Sequence, residues 1–382
     1  MKSILVSIWF FFVSVSTVAQ QYNSFKKFPI DNPLSYKSVQ TITQDKDDFI
    51  WLGTQEGLHR FDGYQFLSFH HDASDESSLS SNVISRVLID NAGKLWVATR
   101  GGGVNIYQDA TQNFIRVDAN HSKLQLSHDN VNALIEDKNN NIWIGTDNGL
   151  NIIFKTSNNW SIKQIFNEPN NPNSLTNNSV EAIIETSDGN LWVGTNGGGI
   201  SIFDNQGNFI KKVNITRTMK EAALDKLVTA LFQDGFGNVW IGTSENGLIK
   251  YNPDKKNMEH FRYGEDDDKS ISSNTIEEIY QDSKQRVWIA TDKGALIYEP
   301  KLEAFQRINH SVANPASLTN DFVLSFFEDS NQMMWIGTFS GVNRWDPNMA
   351  TFNQFNNERF PQINSSLVMD FTLMDDEQLL FS

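Results

Sequence analysis

Residues 131–150 read VNALIEDKNNNIWIGTDNGL, and they show most clearly the pattern from which the fold is predicted. It contains an apolar segment, a turn rich in Asp and Asn, a second apolar segment around Trp143, and an Asn148-Gly149 turn. Short β-branched segments separated by Asn, Asp and Gly are typical of antiparallel strands. The stretch therefore predicts two strands joined by a turn, followed by a tight hairpin into a third.

The same pattern recurs along the chain and is centred on seven tryptophans. They are Trp51, Trp96, Trp143, Trp192, Trp240, Trp288 and Trp335. Successive spacings are 45, 47, 49, 48, 48 and 47 residues, and an Asp lies six residues before each Trp except in the fourth copy, which has Thr186. A fixed period of this length is the signature of a repeat architecture.

Each repeat contains four short apolar segments. The fourth is a pair of apolar residues spaced by three, as in Phe66–Phe69, Phe114–Val117, Met258–Phe261 and Phe305–Ile308. Four strands of about 5 residues with their connections account for one period. We therefore predict an all-β fold, a seven-bladed β-propeller of four-stranded blades.

The repeated tryptophans are predicted to be structural. On the second strand of a blade, a Trp side chain fills the wedge between neighbouring blades and buries roughly 200 Å², or about 5 kcal/mol gross. The Gly two residues later, as in Gly145, leaves room for the neighbouring sheet. The Gly after the turn, as in Gly149, supplies the positive φ of a tight hairpin.

The sequence contains one outer-strand pair more than seven blades need. We predict that Phe25–Phe28 is the fourth strand of blade seven and pairs with Val342–Trp345, so that the N-terminal strand closes the ring. In the alternative, blade seven uses Phe352–Phe355. Under our prediction the propeller spans residues 24–350, and residues 351–382 begin a further, incomplete repeat or second propeller, with Val368 and Phe371 on its first strand.

Composition excludes several classes of function. The formal charge of −15 argues against a nucleic-acid partner, because contact with phosphates needs clustered cations. The absence of Cys excludes disulfides, thiolate metal sites and a cysteine nucleophile. The His residues have no metal-ligand spacing, so no metal, cofactor or catalytic residue is predicted.

The first nineteen residues are typical of an export signal. Lys2 precedes an apolar run from Ile4 to Val15, and Thr17-Val18-Ala19 supplies small residues for cleavage. We expect a signal peptide over residues 1–19 and a periplasmic or extracellular protein; an uncleaved N-terminal anchor is the alternative.

The repeated string resembles the two-component regulator propeller repeat, over about residues 24 to 382. In that family the repeat forms the periplasmic sensor region of hybrid two-component sensor kinases and of some membrane diguanylate cyclases. The resemblance implies two tandem propellers, an immunoglobulin-like domain, a membrane span and cytoplasmic output domains. Because the sequence ends within an eighth repeat, we expect either a truncated N-terminal part or a chain that lost its output domains.

Binding specificity is expected where the repeats differ from one another. The turn between the second and third strands varies and helps to form one rim of the central channel in propellers generally. The predicted ligand-binding residues there are Glu56, Arg100, Asp147, Asn196, Glu245, Asp292 and Phe339. Such amide, charged and aromatic groups suit a polar ligand with an apolar face, such as an oligosaccharide.

Three functions remain open. The first is a sensor module, without enzymatic activity of its own, that relays ligand binding to output domains. The second is a secreted scaffold for protein–protein interaction, and the third is a secreted lyase or glycosidase. Expected partners are a polar small molecule or glycan, other domains of the same receptor or a second protomer, and the membrane only through an anchor.

Overall fold

The computed structural model describes residues 25–27, 33–34, 36–120, 123–156, 159–213, 228–265, 270–300, 304–346, 371–373 and 379–381. The predicted signal segment, Phe28, Phe352–Phe355 and Val368 lie outside the described residues. The described elements are all β-strands.

Each blade is a four-stranded antiparallel sheet, and strands are numbered in chain order. The first strands of blades one to seven are β2 (Val39–Gln44), β6 (Ile84–Ile89), β10 (Val131–Glu136), β14 (Val180–Glu185), β18 (Val228–Gln233), β22 (Ile276–Gln281) and β26 (Val323–Glu328). The second strands, which carry the repeated tryptophans, are β3 (Ile50–Thr54), β7 (Leu95–Thr99), β11 (Ile142–Thr146), β15 (Leu191–Thr195), β19 (Val239–Thr243), β23 (Val287–Thr291) and β27 (Met334–Thr338).

The third and fourth strands complete each blade. The third strands are β4 (Gly57–Phe61), β8 (Val104–Gln108), β12 (Gly149–Lys155), β16 (Gly199–Phe203), β20 (Leu248–Asn252), β24 (Gly294–Glu299) and β28 (Gly341–Trp345). The fourth strands of blades one to six are β5 (Phe66–Phe69), β9 (Asn113–Val117), β13 (Trp160–Ile165), β17 (Phe209–Val213), β21 (Asn257–Phe261) and β25 (Ala304–Ile308).

The seven blades form a ring around their first strands. Each first strand contacts the first strand of the next blade, and β26 of blade seven contacts β2 of blade one. The chain is therefore a seven-bladed propeller with the first strands innermost, as the sequence predicts.

Blade seven takes its fourth strand from the N-terminal part of the chain. Strand β1 (Phe25–Lys27) pairs antiparallel with β28, with Phe25 opposite Trp345 and Lys27 opposite Asn343. The sheet order is β1-β28-β27-β26. The prediction that an N-terminal outer strand closes the ring is confirmed.

The repeated tryptophans are buried between neighbouring blades. Trp143, fully buried, shares a hydrophobic cluster with Val180, Val193 and Phe203 of the following blade. A Cβ on Gly145 would lie 2.5 Å from Val180 Cγ1, so this position needs Gly for close approach of the next sheet. This burial and this close approach are what the predicted structural role of the Trp and of this Gly requires.

The repeated Asp anchors the Trp of its own blade. Trp143 Nε1 donates to Asp137 Oδ2 at 2.8 Å, while Asp137 Oδ1 accepts the backbone N–H groups of Asn139 and Asn141 in the turn. The same Trp–Asp bond, at 2.6–2.9 Å, joins Trp51 to Asp45, Trp96 to Asp90, Trp240 to Asp234, Trp288 to Asp282, and Trp335 to Asp329. We call the seven tryptophans and these six Asp residues the Trp–Asp ring.

Asp346–Ser382 forms a separate unit, of which two short strands are described. Strand β29 (Phe371–Leu373) pairs antiparallel with β30 (Leu379–Phe381), with Phe371 opposite Phe381 and Leu373 opposite Leu379. In the repeat alignment, Phe371 corresponds to Leu134 and Leu373 corresponds to Glu136. In blade three Leu134 lies opposite Ile144 and Glu136 lies opposite Ile142, so the two strand pairs have the same register. The pairing agrees with the predicted start of an eighth repeat.

Candidate functional site at the channel mouth

Every innermost strand carries a β-bulge at the same repeat position. In blade three, for example, the register with β11 shifts between Val131 and Ala133, so that Asn132 is the extra residue. Corresponding shifts occur in the other six blades. The bulged residues, which we call the bulge ring, are Gln40, Ser85, Asn132, Glu181, Thr229, Glu277 and Leu324.

The bulge ring surrounds the mouth of the channel. The first residue of each inner strand pairs with the last residue of the second strand, as Val131 does with Thr146. The bulge ring therefore lies at the end of the sheets where the turns between second and third strands are found. A bulge re-aims a side chain out of the regular alternation of a strand, and bulges are frequent beside functional sites.

A cavity of about 310 Å³ opens at this mouth. Its wall contains six members of the bulge ring, all except Leu324, together with Gln55, Val83, Ile84, Arg86 and Arg100. A second cavity of about 290 Å³ is lined by inner-strand residues of all seven blades and thus lies along the ring axis. Arg86, Glu181, Thr229 and Glu277 line both cavities.

Two buried polar atoms in this wall lack hydrogen-bond partners. They are Ser85 Oγ and Asn132 Oδ1, on side chains that are only 5% and 4% exposed. A buried polar atom without a partner costs free energy, typically about 1–3 kcal/mol. Both atoms are therefore available to a ligand that enters the cavity and supplies matching groups.

Asn132 is held in place by a carboxylate in the adjoining turn. Asn132 Nδ2 donates to Asp147 Oδ1, and Asn130 Nδ2 donates to Asp147 Oδ2, both at 2.8 Å. Burial would raise the pKa of Asp147, but these two amides, with positive charge on Arg100 nearby, hold it below its usual value. The ionised carboxylate thus fixes the amide so that its oxygen stays unpaired at the cavity.

Acidic and basic groups face the cavity from different blades. Burial and then the neighbouring Asp292 raise the pKa of Glu277, while Arg86 acts in the opposite direction. Burial raises the pKa of Glu278 to about 7, although Arg86 and the backbone N–H of Phe326 favour its charged form. The inner wall is therefore a place where charge is costly to hold without a partner.

The predicted rim residues fall into two groups. Arg100 lines the cavity, Asp147 reaches it through Asn132, and Asp292 lies close enough to Glu277 to raise its pKa. The side chains of Glu56, Asn196, Glu245 and Phe339 lie outside the lining of this cavity and are exposed. Glu56 pairs with Lys37 at 2.9 Å, and Phe339 stacks on Phe322 with ring centroids 5.9 Å apart.

The bulge ring itself was missed from the sequence. Its signal is a polar residue in six of seven copies, eleven positions before the Trp and directly after the Val or Ile that begins the strand. The residue type at this position varies among the copies, but only the register shift explains why these side chains face the channel.

The repeats match a known family along most of the ring. Residues 33–56, 78–101, 125–148, 174–197, 224–245, 270–293 and 317–340 each match the two component regulator propeller repeat. The chain belongs to this family. Each matched segment, as in residues 125–148, covers the inner strand and the Trp strand of one blade. The family pattern of the regulator propeller therefore lies in the two strands that carry the bulge and the Trp.

Its structural relatives include extracellular domains of two component systems. This regulator propeller is 27% identical, with a TM-score of 0.72, to the extracellular domain of a protein from B. thetaiotaomicron described as a hybrid two component system, covering 94% of this chain and 46% of that one. A second such domain from the same organism is 21% identical with a TM-score of 0.69. A 75-residue segment is 44% identical to histidine kinase P4 of Formosa agariphila, over 19% of this chain and 5% of the kinase.

The regulator propeller is thus homologous to extracellular domains of hybrid two-component systems and spans less than half the length of those it matches. Streptogramin B lyase has the same fold, with a TM-score of 0.60 at 14% identity, so a propeller of this shape can also be an enzyme. Within the described residues, no group of three or more His, Asp or Glu could hold a metal ion. The described part of the chain also contains no helix long and apolar enough to cross a membrane.

Proposed function

We propose that this propeller is the exported, ligand-sensing module of a two-component or cyclic-dinucleotide signalling receptor. Its ligand is a polar molecule such as an oligosaccharide, bound at the channel mouth, and binding is relayed to output domains. Catalysis, if the whole receptor has any, belongs to those output domains.

One observation carries this proposal: the mouth cavity holds two buried polar atoms, Ser85 Oγ and Asn132 Oδ1, without partners. A fold that needed only stability would gain by pairing them or by replacing them with apolar groups. Polar atoms kept unpaired in a preformed cavity are what recognition of a hydroxyl-rich ligand requires.

An exposed aromatic side chain on the rim supports the same ligand class. Phe339 in blade seven occupies the repeat position that Gln55 and Arg100 occupy in blades one and two. It is 51% exposed and stacks on Phe322. An aromatic surface on the rim offers contact to the apolar face of a sugar ring.

The test is binding of the purified protein to an immobilised glycan panel, followed by the variants Ser85→Ala and Asn132→Ala. We expect each variant to weaken binding at least about fivefold, since Ser85 Oγ and Asn132 Oδ1 have no partner within the protein. Ser187→Ala and Asn190→Ala are matched controls in a turn at the opposite end of the sheets and should bind as the parent does. Binding that survives both mouth variants would place the ligand elsewhere.

A further inference from the structure

The mouth cavity has a basic wall and an acidic wall. Arg86 and Arg100 belong to blade two, and Glu277 and Asp292 belong to blade six. Two blades separate them in one direction around the ring and three in the other, so the two walls face each other across the channel. Arg86, Arg100 and Glu277 line the cavity directly, as does Glu181 of blade four, whose Oε1 accepts a hydrogen bond from Ser179 Oγ at 2.8 Å.

The opposite charges do not neutralise one another by contact. Arg86 Nη1 donates to the backbone carbonyl of Ser85 at 2.8 Å, and across the described part of the chain no carboxylate lies within 4.0 Å of the guanidinium. Within the same residues, the Glu277 carboxylate accepts no hydrogen bond, and Asp292 Oδ1 is buried without a partner. The groups interact only through space, with the cavity between them.

Charged groups in a partly buried wall are costly unless a partner compensates them. An anion alone would satisfy Arg86 and Arg100 but would face Glu277. A cation alone would satisfy Glu277 and Asp292 but would face the two arginines. A ligand that carries both charges, on two separate groups, compensates both walls at once.

We propose that the channel mouth binds a small zwitterion, with its ammonium group toward Glu277 and Asp292 and its acid group toward Arg86 and Arg100. The unpaired Ser85 Oγ and Asn132 Oδ1 then contact polar groups between the two ends. The inference rests on the proposed function, because it assumes that this mouth is the ligand site, and it specifies the charge of the ligand. An acidic amino sugar and a short peptide share this chemistry.

The experiment compares probes that differ in charge. Muramic acid carries an amine and a carboxylate, glucosamine only the amine, and glucuronic acid only the carboxylate; glycylglycine is a zwitterion without a sugar. Binding to the purified protein is measured by titration calorimetry at neutral pH. We expect muramic acid to bind at least about tenfold more tightly than glucosamine and glucuronic acid.

Two variants, each of which removes one charge, divide the effect between the walls. In the Arg86→Gln variant, muramic acid should bind no more tightly than glucosamine. In the Glu277→Gln variant, it should bind no more tightly than glucuronic acid. Lys211→Ala and Asp254→Asn, which line a groove beside the turns between first and second strands, are controls of the same charge change and should leave all affinities unchanged. Thermal melts of each variant confirm that the ring is intact.

Equal binding of muramic acid and either singly charged probe would overturn the inference, as would failure of every probe to bind. Neither result would contradict the proposed function, which is decided by the glycan panel with Ser85→Ala and Asn132→Ala. Glycylglycine that binds like muramic acid, with the same dependence on Arg86 and Glu277, would support the inference and indicate a peptide as the source of the zwitterion. Glycylglycine that fails where muramic acid binds would support it and indicate a sugar.

Discussion

The Trp–Asp ring and the bulge ring come from the same pair of strands in every blade, yet they behave in opposite ways. Trp143 is fully buried, its indole N–H is paired with Asp137, and six of seven copies repeat this arrangement. Asn132, on the neighbouring strand, is also buried, but its oxygen is unpaired and its position changes identity from blade to blade. The first ring therefore holds neighbouring blades together, whereas the second has polar atoms that are free to contact a ligand.

Blade four is the exception in the Trp–Asp ring, because it has no Asp six residues before its Trp. Thr186 replaces the Asp, and its Oγ1 donates to Asp188 Oδ1 at 2.6 Å instead of anchoring the Trp. Trp192 remains buried, at 5% exposure, beside a cavity of about 130 Å³ whose lining includes Asp188 and Lys211. The turn between first and second strands can therefore close without the repeated Asp, whose distinct contribution is the hydrogen bond to the Trp.

The largest expected effect is on the Trp–Asp ring. Trp143→Ala should lower the free energy of unfolding by about 3–5 kcal/mol, because it leaves a cavity between two blades. Trp192→Ala should cost less, since Trp192 is slightly exposed and lacks the Asp partner. Denaturant melts of both variants measure this order. An unchanged melt for Trp143→Ala would mean that the Trp is not part of the core between blades.

The next effect concerns the inner wall of the channel. A carboxyl whose pKa is raised by folding binds more protons in the native state than in the unfolded state, so its stabilising contribution is lost as pH rises from about 4.5 through about 7. Glu278→Gln should remove this loss and raise the unfolding free energy at pH 8 by about 1–3 kcal/mol. The amide oxygen can still accept the backbone N–H of Phe326, which Glu278 now accepts at 2.6 Å.

Melts of the parent and Glu278→Gln between pH 4 and pH 8 measure that difference. Glu259→Gln, on an outer strand where the side chain pairs with Lys250, is the matched control and should leave the pH dependence in place. Parallel curves for the parent and Glu278→Gln would show that Glu278 is not the group that titrates.

A smaller effect on stability is expected when Thr186 of blade four is replaced by the Asp that the other blades have at this position. Thr186→Asp should restore the missing bond to Trp192 Nε1 and stabilise the protein by about 1 kcal/mol. Because Asp188 lies close by, the double variant Thr186→Asp with Asp188→Asn separates the new hydrogen bond from the added repulsion. A double variant no more stable than the parent would contradict the role assigned to the repeated Asp.

The smallest effect is expected in the bulge ring. Gln40 is half-buried, and its Nε2 donates to Oγ of the buried Ser38 at 2.6 Å. Gln40→Ala should change the unfolding free energy by less than about 0.5 kcal/mol. A loss comparable to that of Trp143→Ala would mean that the bulge ring is a structural element like the Trp–Asp ring.

The sequence was sufficient for the ring and insufficient for the site, for a physical reason. Trp143 fills the wedge between blades, Gly145 allows the close approach of the next sheet, and Gly149 adopts a positive φ. These local requirements are the same in every blade, so the residues that meet them recur in the sequence. The closure of the ring by the strand at Phe25 could also be predicted, because the sequence contains one outer-strand pair more than seven blades need. The bulge at Asn132 depends on the register between two strands, and the facing of Arg86 and Glu277 depends on bringing blades two and six together. Neither has a local signature.

The pairing of β1 with β28 has a consequence for the kinetics of folding. Six blades consist of strands that follow one another directly and can form as local hairpins, but blade seven needs the two ends of the ring to meet. Each doubling of a loop adds only about 0.6 kcal/mol to the entropy of closing it, so the completed ring is little penalised. The rate, however, falls with the sequence separation of contacts. During synthesis, Phe25 leaves the ribosome long before its partner Trp345 exists, and the edge of β28 stays open until the two strands find each other. The last blade is therefore the step at which a nascent chain is most exposed to pairing with a strand of another molecule.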